Sequence, residues 1–165
     1  VSGSLDDEFA VRLAESSALA VRVAYSVLRN QSDAEDVAQE AFIRAHRRMA
    51  GLRDRNKFRS WLVRITWRLA LDWRRSQRRR GAHEESAARL QPQVGNAEAD
   101  LAAAEGFAHI WRAIDALPEK LRLVLVLTAI EGHSVRDVAE LVGIPEGTVK
   151  SRLFDARKRL EDERP

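Results

Sequence analysis

The chain has 165 residues, 45% hydrophobic and 32% charged, with a formal net charge of +3. That length suits one medium domain or two small ones, and the balance suits a folded, helix-rich protein rather than a disordered one. With no cysteine, disulfides, thiol nucleophiles and thiolate metal sites are excluded, and a reducing, cytoplasmic compartment is expected.

No apolar run reaches the ~18 residues that a membrane-spanning helix needs. The longest, "LVLVLTAI", has the length of a core helix, and no secretory signal is visible. Membrane insertion is therefore not expected. The small net charge hides a strong pattern. Residues 6–40 carry three Arg against eight acids, and residues 44–80 carry fourteen Lys or Arg against two Asp. Residues 81–119 are acidic again, and residues 143–160 hold five Lys or Arg against two acids. Alternating acidic and basic blocks point to a polyanionic partner.

Helical spacing runs through the whole chain and strand signals are weak. The periodicity predicts helices at 6–29, 33–50, 58–78, 107–116, 119–131, 135–142 and 146–161. Ser32 with Glu35 predicts a capping box at the start of the second helix, and Gly51 predicts its end. In "NQSDAEDVAQEAFIRAHRRM", Val37, Ala41, Ile43 and Ala45 gather near one side, while Asp36, Gln39, Glu40 and Arg44 stay on polar faces. Asp36 and Glu40 are neighbours on the helix surface. A carboxylate metal site would want Glu-x-x-His pairs from facing helices, which His46 does not supply. The remaining readings of this face are a solvated acidic surface and a protein-docking surface.

In "FRSWLVRITWRLALDWRRSQRRR", Phe58, Trp61, Leu62, Ile65 and Leu69 form the apolar stripe. The opposite face carries Arg64, Trp67, Leu71, Arg74, Arg75 and Arg78, with Arg68 at its edge. An exposed Trp67 among arginines could stack on a base while the arginines follow a backbone. The competing reading packs Trp67 on a neighbouring element. Trp61 and Trp73 are expected in the core.

The segment Gly81–Asp100 has no apolar period and reads as a linker. The expected organisation is all-α, with two small helical domains at 6–80 and 105–161 joined by a flexible linker at 81–104. In the second domain, Leu121, Val124, Leu125, Leu127 and Thr128 face inward, Gly132 ends that helix and Ser134 caps the next. Val135, Val138, Ala139 and Val142 point to the core, and "GIP" makes a sharp turn into the last helix. Two short helices across a glycine-containing turn are a helix-turn-helix signature. In the last helix Val149, Leu153, Ala156 and Leu160 point inward. Lys150, Ser151, Phe154, Arg157 and Lys158 form the outer surface, with Arg152 beside them. Such a helix enters a major groove, where Lys and Arg reach phosphates or guanine edges and Phe154 can touch a thymine methyl.

The stretches "DAEDVAQEAFIRA", "FRSWLVRITWRLALDWRR", "ALPEKLRLVLVLTAIEGHSVRDVAELVGIPEGTVKSRL" and "ARKRL" together resemble an extracytoplasmic-function (ECF) sigma factor of bacterial RNA polymerase. The resemblance implies a region 2-like first domain and a region 4-like second domain. It implies that Asp36, Gln39 and Glu40 dock on the clamp helices of the largest subunit of core RNA polymerase. Arg64, Trp67, Arg68, Arg74 and Arg75 would engage the −10 element. Lys150, Ser151, Arg152, Phe154, Arg157 and Lys158 would read the −35 element, and the apolar helices before them would meet the flap of the second-largest subunit. Partners so implied are core polymerase, promoter DNA as duplex and melted strand, and an anti-sigma factor. No cofactor, metal or catalytic residue is implied, and the protein is not expected to be an enzyme. The family's usual Ile-Ala-x-Asn-x-Ala in the −10 helix reads "ITWRLA" here, with Arg68 at the Asn position, which predicts an altered −10 preference. Acidic residues Glu84, Glu85, Glu98 and Asp100 are expected to mimic nucleic acid in a basic polymerase channel. The alternative is a free-standing helix-turn-helix regulator, which leaves the acidic-then-basic first domain without a role.

Overall fold

A computed structural model describes residues 2–81 and 97–163, with side chains for 3–81 and 102–163. Glu84 and Glu85 lie outside the described residues, as do the side chains of Glu98 and Asp100. Among the described residues every regular element is helical. The elements are α1 (Ser2–Leu28), α2 (Gln31–Arg48), α3 (Phe58–Arg79), α4 (Ala97–Ala116), α5 (Glu119–Leu125), α6 (Val135–Val142) and α7 (Glu146–Asp162). Short 3-10 turns, Met49–Gly51 and Arg55–Lys57, link α2 to α3, and α5 runs on into a π-helical turn, Val126–Ile130.

Helices α1, α2 and α3 pack on one another. Ala34, Ala38, Ala41 and Ala45 line the buried side of α2 with Val37, and their small side chains let its neighbours come close. The expected stripe of α3 lies in this core: Phe58 and Leu62 are fully buried, and Trp61, Ile65 and Leu69 pack against them. Ile43, expected inward, is exposed instead. The second helix begins earlier than predicted, because the Asn30 side chain, rather than Ser32, accepts from the Asp33 N–H at 3.0 Å. Helix α4 begins at Ala97, ten residues before the predicted start. Its first turns, "AEADLAAAEG", are helix formers without an apolar period, so they read as linker.

In the last helices the expected turn chemistry is present. The Ser134 hydroxyl accepts from the Asp137 N–H at 3.1 Å, and a hydrogen bond from the Ser134 side chain to the Asp137 carboxyl holds that carboxyl below its ordinary range. Gly143 takes the left-handed conformation, φ 74°, that ends α6. Gly132 does the same after the π-turn, at φ 72°. Helix α7 packs on α5 and α6 through buried Val149, Leu153 and Ala156.

One hydrophobic cluster joins the two groups of helices. It runs from Leu19, Val23 and Val27 of α1 through Val63, Trp67 and Leu71 of α3 to Trp111, Ile114 and Val124. Helix α3 also packs on α6, and α1 on the π-turn.

Candidate nucleic-acid interface

Three surfaces were expected to carry function. The first is the outer face of α7. Lys150, Ser151, Phe154, Arg157 and Lys158 are all exposed, Arg152 is half-buried, and the inward residues hold the helix on its core. Phe154 is 68% exposed, a large apolar side chain held in water above a packed helix. The Ser151 hydroxyl donates to the Thr148 carbonyl at 3.0 Å. The turn before α7 sets its entry angle: Gly143 and Ile144 both donate backbone N–H groups to the Ala139 carbonyl. Ala139 is itself buried where the two helices meet.

The second surface is the polar side of α2. Asp36, Gln39 and Glu40 are exposed together, and Glu40 holds Arg44 at 3.0 Å one turn later. Phe42 and Ile43 border the same face.

The third is the arginine face of α3, and here the structure decides between the two readings of Trp67. Trp67 is 6% exposed and lies within the cluster that joins the two groups of helices. It cannot stack on a base in this arrangement. Leu71, on the same face, is buried as well. The cover is the C-terminal half of the chain. Asp115, at the end of α4, receives Arg74 at 2.7 Å, and its carboxylate also pairs with Arg29 at the end of α1. All three side chains are only 11–12% exposed. Burial draws the Arg74 guanidinium below its ordinary value, against the pull of Asp115 toward the charged form. Arg75 pairs with Glu119 at the start of α5. Arg64 is exposed, and its guanidinium reaches the α6–α7 turn, 3.6 Å from where a Cβ on Gly143 would stand. Arg68 is exposed.

Arg29, Asp115 and Glu119 gave no signal in the sequence. Arg29 is the one non-glycine residue with positive φ among the described residues, at 49°. This uncommon conformation lets it end α1 and aim its side chain at both Asp115 and Trp111, whose ring lies 4.7 Å from the guanidinium carbon. Arg122 braces the same corner from α5, donating to the Asp115 and Leu117 carbonyls at 2.9 Å each. Among the described residues no group of acids and histidines could hold a metal ion, and no helix is long and apolar enough to cross a membrane.

Residues 13–80 match the family model "Sigma-70 region 2", and residues 108–160 match "Sigma-70, region 4". An ECF RNA polymerase sigma factor, SigE of Mycolicibacterium smegmatis, is 37% identical over 143 residues, covering 86% of this chain. The chain spans 55% of that relative's length and 36% of the probable sigma factor RfaY of Xanthomonas campestris. The ECF sigma-E factor of Haemophilus influenzae is 32% identical over 142 residues, covering 81% of this chain and 75% of the relative. Among solved structures, CnrH in complex with the cytosolic domain of CnrY is similar with a TM-score of 0.60 and 25% identity. The likeness covers 93% of this chain and 85% of that one.

Proposed function

We propose that this chain, which belongs to the ECF family of RNA polymerase sigma factors, binds core RNA polymerase and directs promoter-specific initiation without catalysing any step itself. The observation that carries the reading is the outer face of α7. Five of its donors and apolar contacts stand in solvent on a helix whose other side is locked into a helix-turn-helix. Lys150, Arg152, Arg157 and Lys158 supply phosphate and guanine contacts at the −35 element, Ser151 a small donor, and Phe154 a thymine-methyl contact.

Asp36, Gln39 and Glu40 dock on the clamp helices of the largest polymerase subunit, and the apolar helices before α7 meet the flap of the second-largest. Arg64, Arg68, Arg74 and Arg75 follow the melted −10 strand. Capturing that strand offsets an unpairing cost of a few kcal/mol per base, order of magnitude. Joining a duplex contact and a single-strand contact in one chain raises their joint affinity through effective concentration. The likeness to CnrH, solved in complex with the cytosolic domain of CnrY, supports a further protein partner, which on the family reading is an anti-sigma factor.

Co-elution with bacterial core polymerase tests this reading, with Asp36→Ala/Glu40→Ala as the control. Stoichiometric co-elution that the control loses supports it. Failure to bind competent core, together with duplex binding by the free chain, would leave a stand-alone helix-turn-helix regulator.

A further inference from the structure

Where α1, α3 and α4 meet, the side chains leave a cavity of about 550 Å³, within the size range of small-molecule sites. Two indole rings wall it, Trp73 of α3 and Trp111 of α4. The Arg29 guanidinium carbon lies 4.7 Å from the Trp111 ring centre, and Phe107 meets that ring edge-on. Four arginines border the cavity, Arg29, Arg74, Arg78 and Arg112, against two carboxylates, Asp33 and Asp115. Asp115 is engaged by Arg29 and by Arg74 Nη2, the second at 2.7 Å. Arg78 and Arg112 stand exposed at the rim. Four cations against two anions leave a surplus of two positive charges, which is the charge that a phosphate monoester brings near neutral pH.

Two donors on this wall, Trp73 Nε1 and Arg74 Nη1, are buried with no hydrogen-bond partner. An indole N–H and a guanidinium can only donate, and buried donors left unpaired are rare enough to call for an occupant. Burial, with the charges of Arg78 and Arg29, draws the Arg74 guanidinium below its ordinary value in spite of Asp115. An anion in the cavity relieves that crowding and gives both donors an acceptor. We propose that the cavity binds a free nucleoside monophosphate, with its base against the tryptophan rings and its phosphate at Arg74, Arg78 and Arg112. A flat base suits indole faces and guanidinium planes, and a phosphate offers arginine the acceptor fork that it takes best. The Asp33 carboxylate and the Gln77 side-chain carbonyl, on the same lining, are acceptors for ribose hydroxyls. A bare anion leaves the two indoles without a partner, and an apolar molecule leaves the arginines unanswered. Arg74 alone belongs also to the set proposed for the −10 strand.

Titration of the full chain with AMP, GMP, CMP and UMP tests this, read by tryptophan fluorescence and by melting temperature. Two of the four tryptophans wall the cavity, so at least one of these nucleotides is expected to quench the emission saturably. At about a hundredfold excess over its Kd it should raise the melting temperature by about 5–10 °C. Arg78→Gln and Arg112→Gln, both at exposed positions, should each weaken binding about tenfold, the size of one lost charge-assisted contact. Trp73→Phe keeps a ring but no N–H and should weaken it by less. Arg48→Gln, the same loss of charge at the exposed end of α2, should change nothing. Four results overturn the proposal. No saturable response to any of the four nucleotides at millimolar concentration leaves a cavity filled by water. Binding that ignores Arg78→Gln and Arg112→Gln places the ligand elsewhere. Inorganic phosphate binding as tightly as the nucleotides makes this a plain anion site. An AT-rich single-stranded oligonucleotide that binds more tightly than any free nucleotide, with the same dependence on Arg78 and Arg112, makes the cavity part of a strand-binding surface.

Discussion

Helices α3 and α7 are built alike and sit differently. Each has an apolar stripe on one side and arginines with one large aromatic on the other, Trp67 on α3 and Phe154 on α7. Trp67 is 6% exposed and Phe154 68%. Helical phase places both aromatics away from their own stripe, and phase is all that an isolated helix can report. Whether that outer face meets water depends on a second element, and for α3 the second element is the C-terminal half of the chain.

Deleting the two aromatics should separate the faces most widely. Trp67→Ala removes a buried side chain and is expected to cost about 3–5 kcal/mol of stability. Phe154→Ala should leave stability within about 0.5 kcal/mol, as surface changes do, and weaken duplex −35 binding instead. Chemical denaturation of both variants checks this; equal stability losses would mean that the two faces are equivalent after all.

A smaller effect concerns Arg68, the exposed arginine at the position where the family usually has Asn. Arg68→Asn is expected to shift −10 preference toward the family's usual pattern, by about tenfold between the best and worst promoters, the size of about 1–2 kcal/mol at one base contact. Open-complex formation on a promoter panel measures it, and an unchanged ranking would remove Arg68 from base selection.

The smallest effect is a pH dependence confined to the covered side. His133, between the π-turn and α6, is held below its ordinary value first by burial and then by the Arg59 charge of α3; Glu131 and Asp137 oppose this. A histidine lowered in this way favours the folded chain fully above its ordinary pKa. That contribution is lost as pH falls through the ordinary value toward the lowered one. Thermal melts between about pH 8 and 5 should show native stability falling more steeply than that of His133→Gln, while duplex binding by α7 keeps the same profile in both.

Much of the fold was legible because it is local. Ser134 as a cap, Gly143 as a left-handed stop and the inward set Val149, Leu153 and Ala156 follow from chemistry within a few residues. The α7 face was legible for the same reason. Asn30 displaced Ser32 as the α2 cap because two nearby polar residues offer the same bond, and spacing does not choose between them. The alanine-rich start of α4 lacks the apolar rhythm that marks a packed helix. Asp115 was silent because its partner Arg29 lies 86 residues away, and a lone Asp in "AIDALPEK" looks like any solvated acid. Face arithmetic grouped Arg64, Trp67, Leu71 and Arg74, and left open whether a neighbouring element covers Trp67, because the phase of one helix does not report on a second.

The π-turn after α5 also fixes an angle. In it the Glu131 N–H reaches back five residues to the Val126 carbonyl at 3.0 Å, and the Thr128 hydroxyl donates to the Val124 carbonyl at 2.8 Å. A turn widened in this way is an α-helix with one residue let in as a shim. Taking that residue out would rotate the rest of the domain by about 100°, carrying α6 and α7 with it. The azimuth at which the chain presents α7 is thus stored in the widened hydrogen-bonded rings of this turn, before α6 begins.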